Sequence, residues 1–124
     1  ENYVVSCTDE TLDLVNAVNH PNCKMMFDTF HANIEEKRLP DAIKKIGDKL
    51  VHVQLSENDR GTLGAGHINF EEVIKALKEL DYEGMISVEA FSQKLVAANI
   101  WRKMFESEEQ LTKDSYKYLK VLTR

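Results

Sequence analysis

Thiols, prolines, glycines and tryptophan are all scarce in this chain, and each scarcity excludes something. The 2 cysteines, Cys7 and Cys23, lack the close spacing of a thiolate metal site. Without a secretory leader they read as reduced, cytoplasmic thiols and not as a disulfide framework. With only 2 prolines and 5 glycines there is no proline-rich linker or low-complexity run, so a single domain over residues 1–124 is expected. No apolar run approaches the roughly 20 residues that cross a bilayer, so no membrane partner is expected. Positive charge is in deficit. The 16 basic residues against 21 acidic ones give a formal net charge of −5. That argues against nucleic acid as a partner, because phosphate backbones require local positive charge. A small anionic substrate held by one arginine stays open. An initiator Met is absent too, since Glu1 opens directly into Asn2-Tyr3-Val4-Val5, so a processed or cut piece of a longer polypeptide is expected.

The material that is present, 43% hydrophobic and 30% charged, is a globular mixture. It is organised around LVHVQLSENDRGTLGAG, residues 50–66. Val51, Val53 and Leu55 have the period of two that packs one face of a strand, which puts His52 and Gln54 on the other. Polar and charged groups then crowd the strand's C-terminal end, where parallel α/β sheets bind ligands. Gly61, Gly64 and Gly66 read as turn-shaping residues, because no helix follows them at phosphate-loop spacing.

In chain order, Thr8–Val18 is predicted helical, with Thr8 or Asp9 as its cap and Leu12, Val15 and Ala17 or Val18 as an apolar stripe. Cys23–Phe27 reads as a short buried strand stopping at Asp28. Leu39–Ile46 reads as a helix with Pro40 in its first turn and Gly47 at its end. The strand Leu50–Leu55 follows, then a helix Phe70–Leu80 capped by Asn69, and a third strand Met85–Val88 ending at Glu89. The rest, from about Val96 to Leu122, reads as helical with a break near Ser107, and Trp101 and Phe105 are expected to pack. Alternation at this spacing implies parallel strands joined by right-handed helical crossovers, and three strands do not close a barrel.

Each strand ends in a group able to bind a metal or a substrate: Asp28 with His31, Gln54 with Glu57 and Arg60, and Glu89. Carboxylate and amide oxygens suit Mg²⁺ or Mn²⁺ better than thiophilic ions. Taken singly, such a carboxylate is more often a helix cap or a surface ion pair.

The stretches FDTFHANIEE, HVQLSENDRGTLGAGHINF, ISVEAF and IWR resemble the C-terminal half of the sugar isomerase/epimerase family with the xylose isomerase-like barrel, and within it ketose 3-epimerases of the D-tagatose and D-psicose type. The resemblance implies half of a (β/α)₈ barrel, three parallel strands alternating with helices. It also implies a divalent metal, Mn²⁺, Mg²⁺ or Co²⁺, held by Asp28, Gln54 and Glu89. At Gln54 the ketose epimerases carry His, whereas similar hydroxypyruvate isomerases carry Gln. The remaining ligand, a Glu, is implied upstream of the chain, and Glu1 resembles the last residue of its motif. Glu89 is implied as one of two carboxylates that move a proton next to a carbonyl through an enediolate, with His31 and Arg60 on the substrate oxygens. Three readings follow: a metal-dependent ketose 3-epimerase, inactive without its N-terminal half; a hydroxypyruvate-type isomerase acting on a small hydroxy-carbonyl; or a non-catalytic half-barrel that self-associates as a homo-oligomer. A DNA-repair endonuclease on the same barrel is disfavoured by the acidic balance and by the lack of a dense histidine cluster.

Overall fold

The computed structural model describes residues 3–124. Helix α1 (Thr8–Val18) is followed by β1 (Met25–Asp28), α2 (Thr29–Glu35), α3 (Leu39–Ile46), β2 (Leu50–Leu55), α4 (Phe70–Glu79), β3 (Met85–Val88) and α5 (Glu108–Leu122). The three strands form one parallel sheet in chain order, with β2 in the middle.

One face of the sheet is covered. Phe27, Val53 and Leu55 are buried against α3 and α4, whose Ile43, Ile46, Phe70, Val73, Ile74 and Leu77 complete the core. Both helices start as their sequences require. Pro40 occupies the first turn of α3, and Asn69 caps α4 by accepting the Glu72 N–H at 3.2 Å. The other face carries Met26, His52, Gln54, Met85 and Ser87, and it stays open: Met26 is 55% and Met85 68% exposed. This is the pattern of a partial barrel, with its interior side uncovered.

Three local expectations are corrected. The first concerns Val51, which is 49% exposed while Leu50 is buried. The β1–β2 register shifts between Met25 and Met26, so that Met25 faces Leu50 and Met26 faces His52. One extra residue on β2 breaks the period of two and lets Leu50 share the core with Val53.

The second concerns the start of α1, where neither Thr8 nor Asp9 is the cap. Cys7 occupies that position without a side-chain bond; Glu10, in the helix's own first turn, reaches back to accept the Ser6 N–H, and Glu36 accepts the free Thr8 N–H, both at 2.7 Å. The third is that residues 99–107 are not helical. Only one 3₁₀ turn forms, Val96–Ala98, and Asn99 ends it with φ 50°. Helix α5 begins where Ser107 accepts the Gln110 N–H at 3.1 Å. Trp101, expected to pack, is 90% exposed. The Lys94–Glu108 pair, 2.9 Å, ties this irregular segment to α5, and that hydrogen bond holds the Glu108 carboxyl down to about 2.

Candidate functional site

The C-terminal ends of the three strands lie side by side. Asp28 is opposite Gln54, Gln54 is opposite Ser87, and Glu89, just past β3, donates its N–H to Leu55 O at 2.9 Å. Asp28, Gln54 and Glu89 therefore rise from neighbouring strands on the open face.

Asp28 ends β1 and caps α2. Its Oδ1 accepts the N–H groups of Phe30 at 2.8 Å and His31 at 3.2 Å. The cap leaves the other carboxylate oxygen without a hydrogen bond among the described residues. Thr29, fully buried, staples β1 to the end of β2. Its hydroxyl donates to Ser56 O and accepts from Ser56 N–H, both at 2.8 Å. This pair of hydrogen bonds ties the start of α2, which carries His31, to the start of the loop that carries Arg60.

Arg60 sits at the centre of the rim. Its backbone is left-handed, φ 58°, held by its N–H to Glu57 O and its carbonyl to Phe91 N–H, each 2.9 Å. Its Nη2 donates to His31 Nε2 at 3.2 Å. A guanidinium has no acceptor, so that imidazole nitrogen is unprotonated. On the other side Arg60 Nε lies 3.5 Å from Glu89 Oε2, and both atoms are buried with no hydrogen bond. The guanidinium carbon lies over both the Phe30 and the Phe91 ring, 3.8 and 4.6 Å from their centroids. An open cleft of about 780 Å³ adjoins this cluster, lined by Phe30, His31, Arg60 and Phe91 together with Tyr3 and Ala98.

Glu57 does not join the rim. It is fully buried and turned into the glycine loop, where its two oxygens accept the N–H groups of Gly64 (3.3 Å) and Ile68 (3.0 Å). A carboxylate first grouped with Gln54 and Arg60 is thus the loop's internal anchor. Gly66 lies so close that a Cβ there would collide with this carboxylate and with the Asn58 side chain. His67 is exposed and meets Asn33 Nδ2 at 3.3 Å. Glu1 lies outside the described residues. Thr29, Phe30 and Phe91 carry no role in the sequence reading, although Thr29 and Phe30 directly follow Asp28 in FDTFH; their signal is proximity to the strand ends.

The fit to a divalent cation is a question of donors. Glu89 offers a buried carboxylate oxygen that is ion-paired with Arg60 but makes no hydrogen bond, Asp28 an oxygen left free by its cap, and Gln54 an amide carbonyl with no hydrogen bond among the described residues. These are hard oxygen donors of the kind Mg²⁺ and Mn²⁺ prefer. Among the described residues no group of three or more His, Cys, Asp or Glu side chains is placed to hold an ion. The site is therefore two carboxylates and an amide, short of a full set.

The profile of a family described as xylose isomerase-like TIM barrel matches residues 1–122. The chain is similar to a D-psicose 3-epimerase of Enterocloster bolteae, 36% identical over 121 residues that cover 93% of this chain and 40% of that protein. It is similar also to an L-ribulose 3-epimerase of Methylomonas sp., 33% identical, covering 90% and 41%. A hydroxypyruvate isomerase of Escherichia coli is 30% identical over 94 residues, covering 75% of this chain and 36% of that protein. Among solved structures, an L-ribulose 3-epimerase superposes with a TM-score of 0.92 at 28% identity, covering 99% of this chain and 43% of that one. The chain spans about two-fifths of the length of these relatives.

Proposed function

Because the chain belongs to the family of xylose isomerase-like TIM barrels, we propose that it forms the C-terminal part of a metal-dependent ketose 3-epimerase. The observation that carries this reading is the rim itself. Asp28, Gln54 and Glu89 stand on successive strand ends, and Arg60 lies between Glu89 and His31 beside a cleft of about 780 Å³. Two of its relatives are a D-psicose 3-epimerase and an L-ribulose 3-epimerase.

Asp28, Gln54 and Glu89 would hold Mn²⁺ or Mg²⁺, with Co²⁺ as a further candidate. When bound, the cation would polarise the substrate's carbonyl and the adjacent hydroxyl. Glu89 is the proton carrier: its free oxygen takes the proton from the carbon next to the carbonyl, or returns it. A second carboxylate on the opposite side of the sugar is required for inversion. On this reading it comes from barrel upstream of Glu1, as does the remaining metal ligand. Arg60 keeps a fixed positive charge against Glu89 and donates to the oxygen that becomes negative. His31, its Nε2 engaged by Arg60, orients that guanidinium and reaches the same oxygen edge.

Gln54 favours a second reading, a hydroxypyruvate-type isomerase, for the amide stands where ketose epimerases carry His and a relative of that type is similar over three-quarters of the chain. The assay is done on the complete gene product, stripped of metal and reloaded with Mn²⁺ or Mg²⁺. C3 epimerisation of a free ketose that stops on chelation is the expected result, with Gln54→His retaining metal affinity. Turnover of hydroxypyruvate alone would establish the second reading, and turnover of neither would end both.

A further inference from the structure

We infer that Phe30 and Phe91 are positioning residues which clamp the Arg60 guanidinium by its two faces and fix its edge between Glu89 and His31. The inference rests on the functional reading only for what Arg60 then does.

Several separate observations converge on the clamp. The two rings lie 3.8 and 4.6 Å from the guanidinium carbon, within the range where a cation is held by an aromatic face. A stacked guanidinium exposes only its in-plane N–H groups; here Nη2 donates to His31 at 3.2 Å, and Nε lies 3.5 Å from Glu89 without a hydrogen bond. The Phe30 ring is itself braced edge-on by His31, with centroids 5.2 Å apart and planes at 89°. Phe91 is coupled to Arg60 through the backbone as well, its N–H donating to the Arg60 carbonyl at 2.9 Å, which supports the left-handed φ of 58°. That conformation is unfavourable for a residue with a Cβ, so it persists because its surroundings over-determine it.

The clamp also explains the two buried orphans. Arg60 Nε and Glu89 Oε2 approach to 3.5 Å without forming a hydrogen bond. A freely rotating guanidinium would close that gap and neutralise Glu89. One held by its faces keeps the carboxylate oxygen available for a proton or a ligand. Lysine cannot reproduce the arrangement, since an ammonium has no flat face to stack and no fork to orient.

The test uses the complete polypeptide labelled at arginine Nε, with the Arg60 signal identified by its loss in Arg60→Lys. Ring currents from two faces should displace that Nε–H resonance upfield of the other arginines. Phe91→Leu and Phe30→Leu should each return it toward the free position, and Phe91→Tyr should restore it. In kinetics, each Leu variant should lower kcat about three- to tenfold with KM changed less. In the Arg60→Lys background Phe91→Leu should have no further effect on kcat. An undisplaced Arg60 signal, or full additivity of the two substitutions, would overturn the clamp. A displaced and Tyr-rescued signal in a protein that turns over no ketose would leave the clamp standing and remove the functional reading instead.

Discussion

Glu57 shows how a single carboxylate is assigned by what lies eleven positions further along. Its two oxygens each accept a backbone N–H, from Gly64 and Ile68, in a fully buried setting. Glu57→Gln turns one oxygen into an NH₂ that faces an N–H donor, leaving a buried pair unsatisfied at a cost of roughly 1–3 kcal/mol. Urea unfolding should show a lower midpoint at unchanged m-value; an unchanged midpoint would mean that the loop does not depend on this anchor. The sequence marks Glu57 as one more charged group after a strand. It cannot mark which way the side chain turns, because that follows from Gly66 leaving room for the carboxylate and from the loop presenting its N–H groups. The placement of Asp28, Gln54 and Glu89 at neighbouring strand ends was legible for the opposite reason. They come at the last positions of strands or just past them, where the period of two sets the direction.

At the scale of elements, Asp28 joins β1 to α2 and holds two roles that substitution separates. Asp28→Asn keeps a good capping oxygen for the Phe30 and His31 N–H groups but removes the charge. Melting should be unchanged, while Mn²⁺ affinity of the complete protein, read by calorimetry, should fall. Asp28→Ala should lose that affinity and about 1 kcal/mol of stability as well. Equal destabilisation by both changes would show that the carboxylate serves the fold alone. Element types were legible wherever an apolar stripe met a cap, as in α4 behind Asn69 and α5 behind Ser107. The segment 99–107 was not, because its apolar residues sit at helical spacing while Asn99 adopts φ 50° and Trp101 finds no core to enter. Val51 misled through the added residue on β2, a register irregularity that no local composition announces.

The molecule as a whole leaves both β1 and β3 as edges, with Met26, Met85, Ile86 and Val88 more than a third exposed. Unpaired parallel edges beside apolar surface are templates for further strands. Produced alone, the chain should therefore associate, giving a light-scattering mass above that of the monomer that rises with concentration. Co-expression with the remainder of the barrel should suppress this association. A monodisperse monomer at micromolar concentration would show that the edges are adequately protected by α5 and the loops.

Strand order equals chain order, β1-β2-β3. A growing polypeptide made from its N-terminus never has to hold a strand in reserve. When β2 leaves the ribosome its partner already exists, and β3 then adds to the far side of β2. Each crossover closes a loop of modest length, so the entropy cost of the second exceeds the first only slightly. The parts of the rim are synthesised in the same order, and the two sides of the Thr29–Ser56 staple are complete before Phe91 is made. Arg60 acquires its second aromatic wall only after Phe91 has been synthesised, which makes the fully clamped guanidinium the late product of a stepwise assembly.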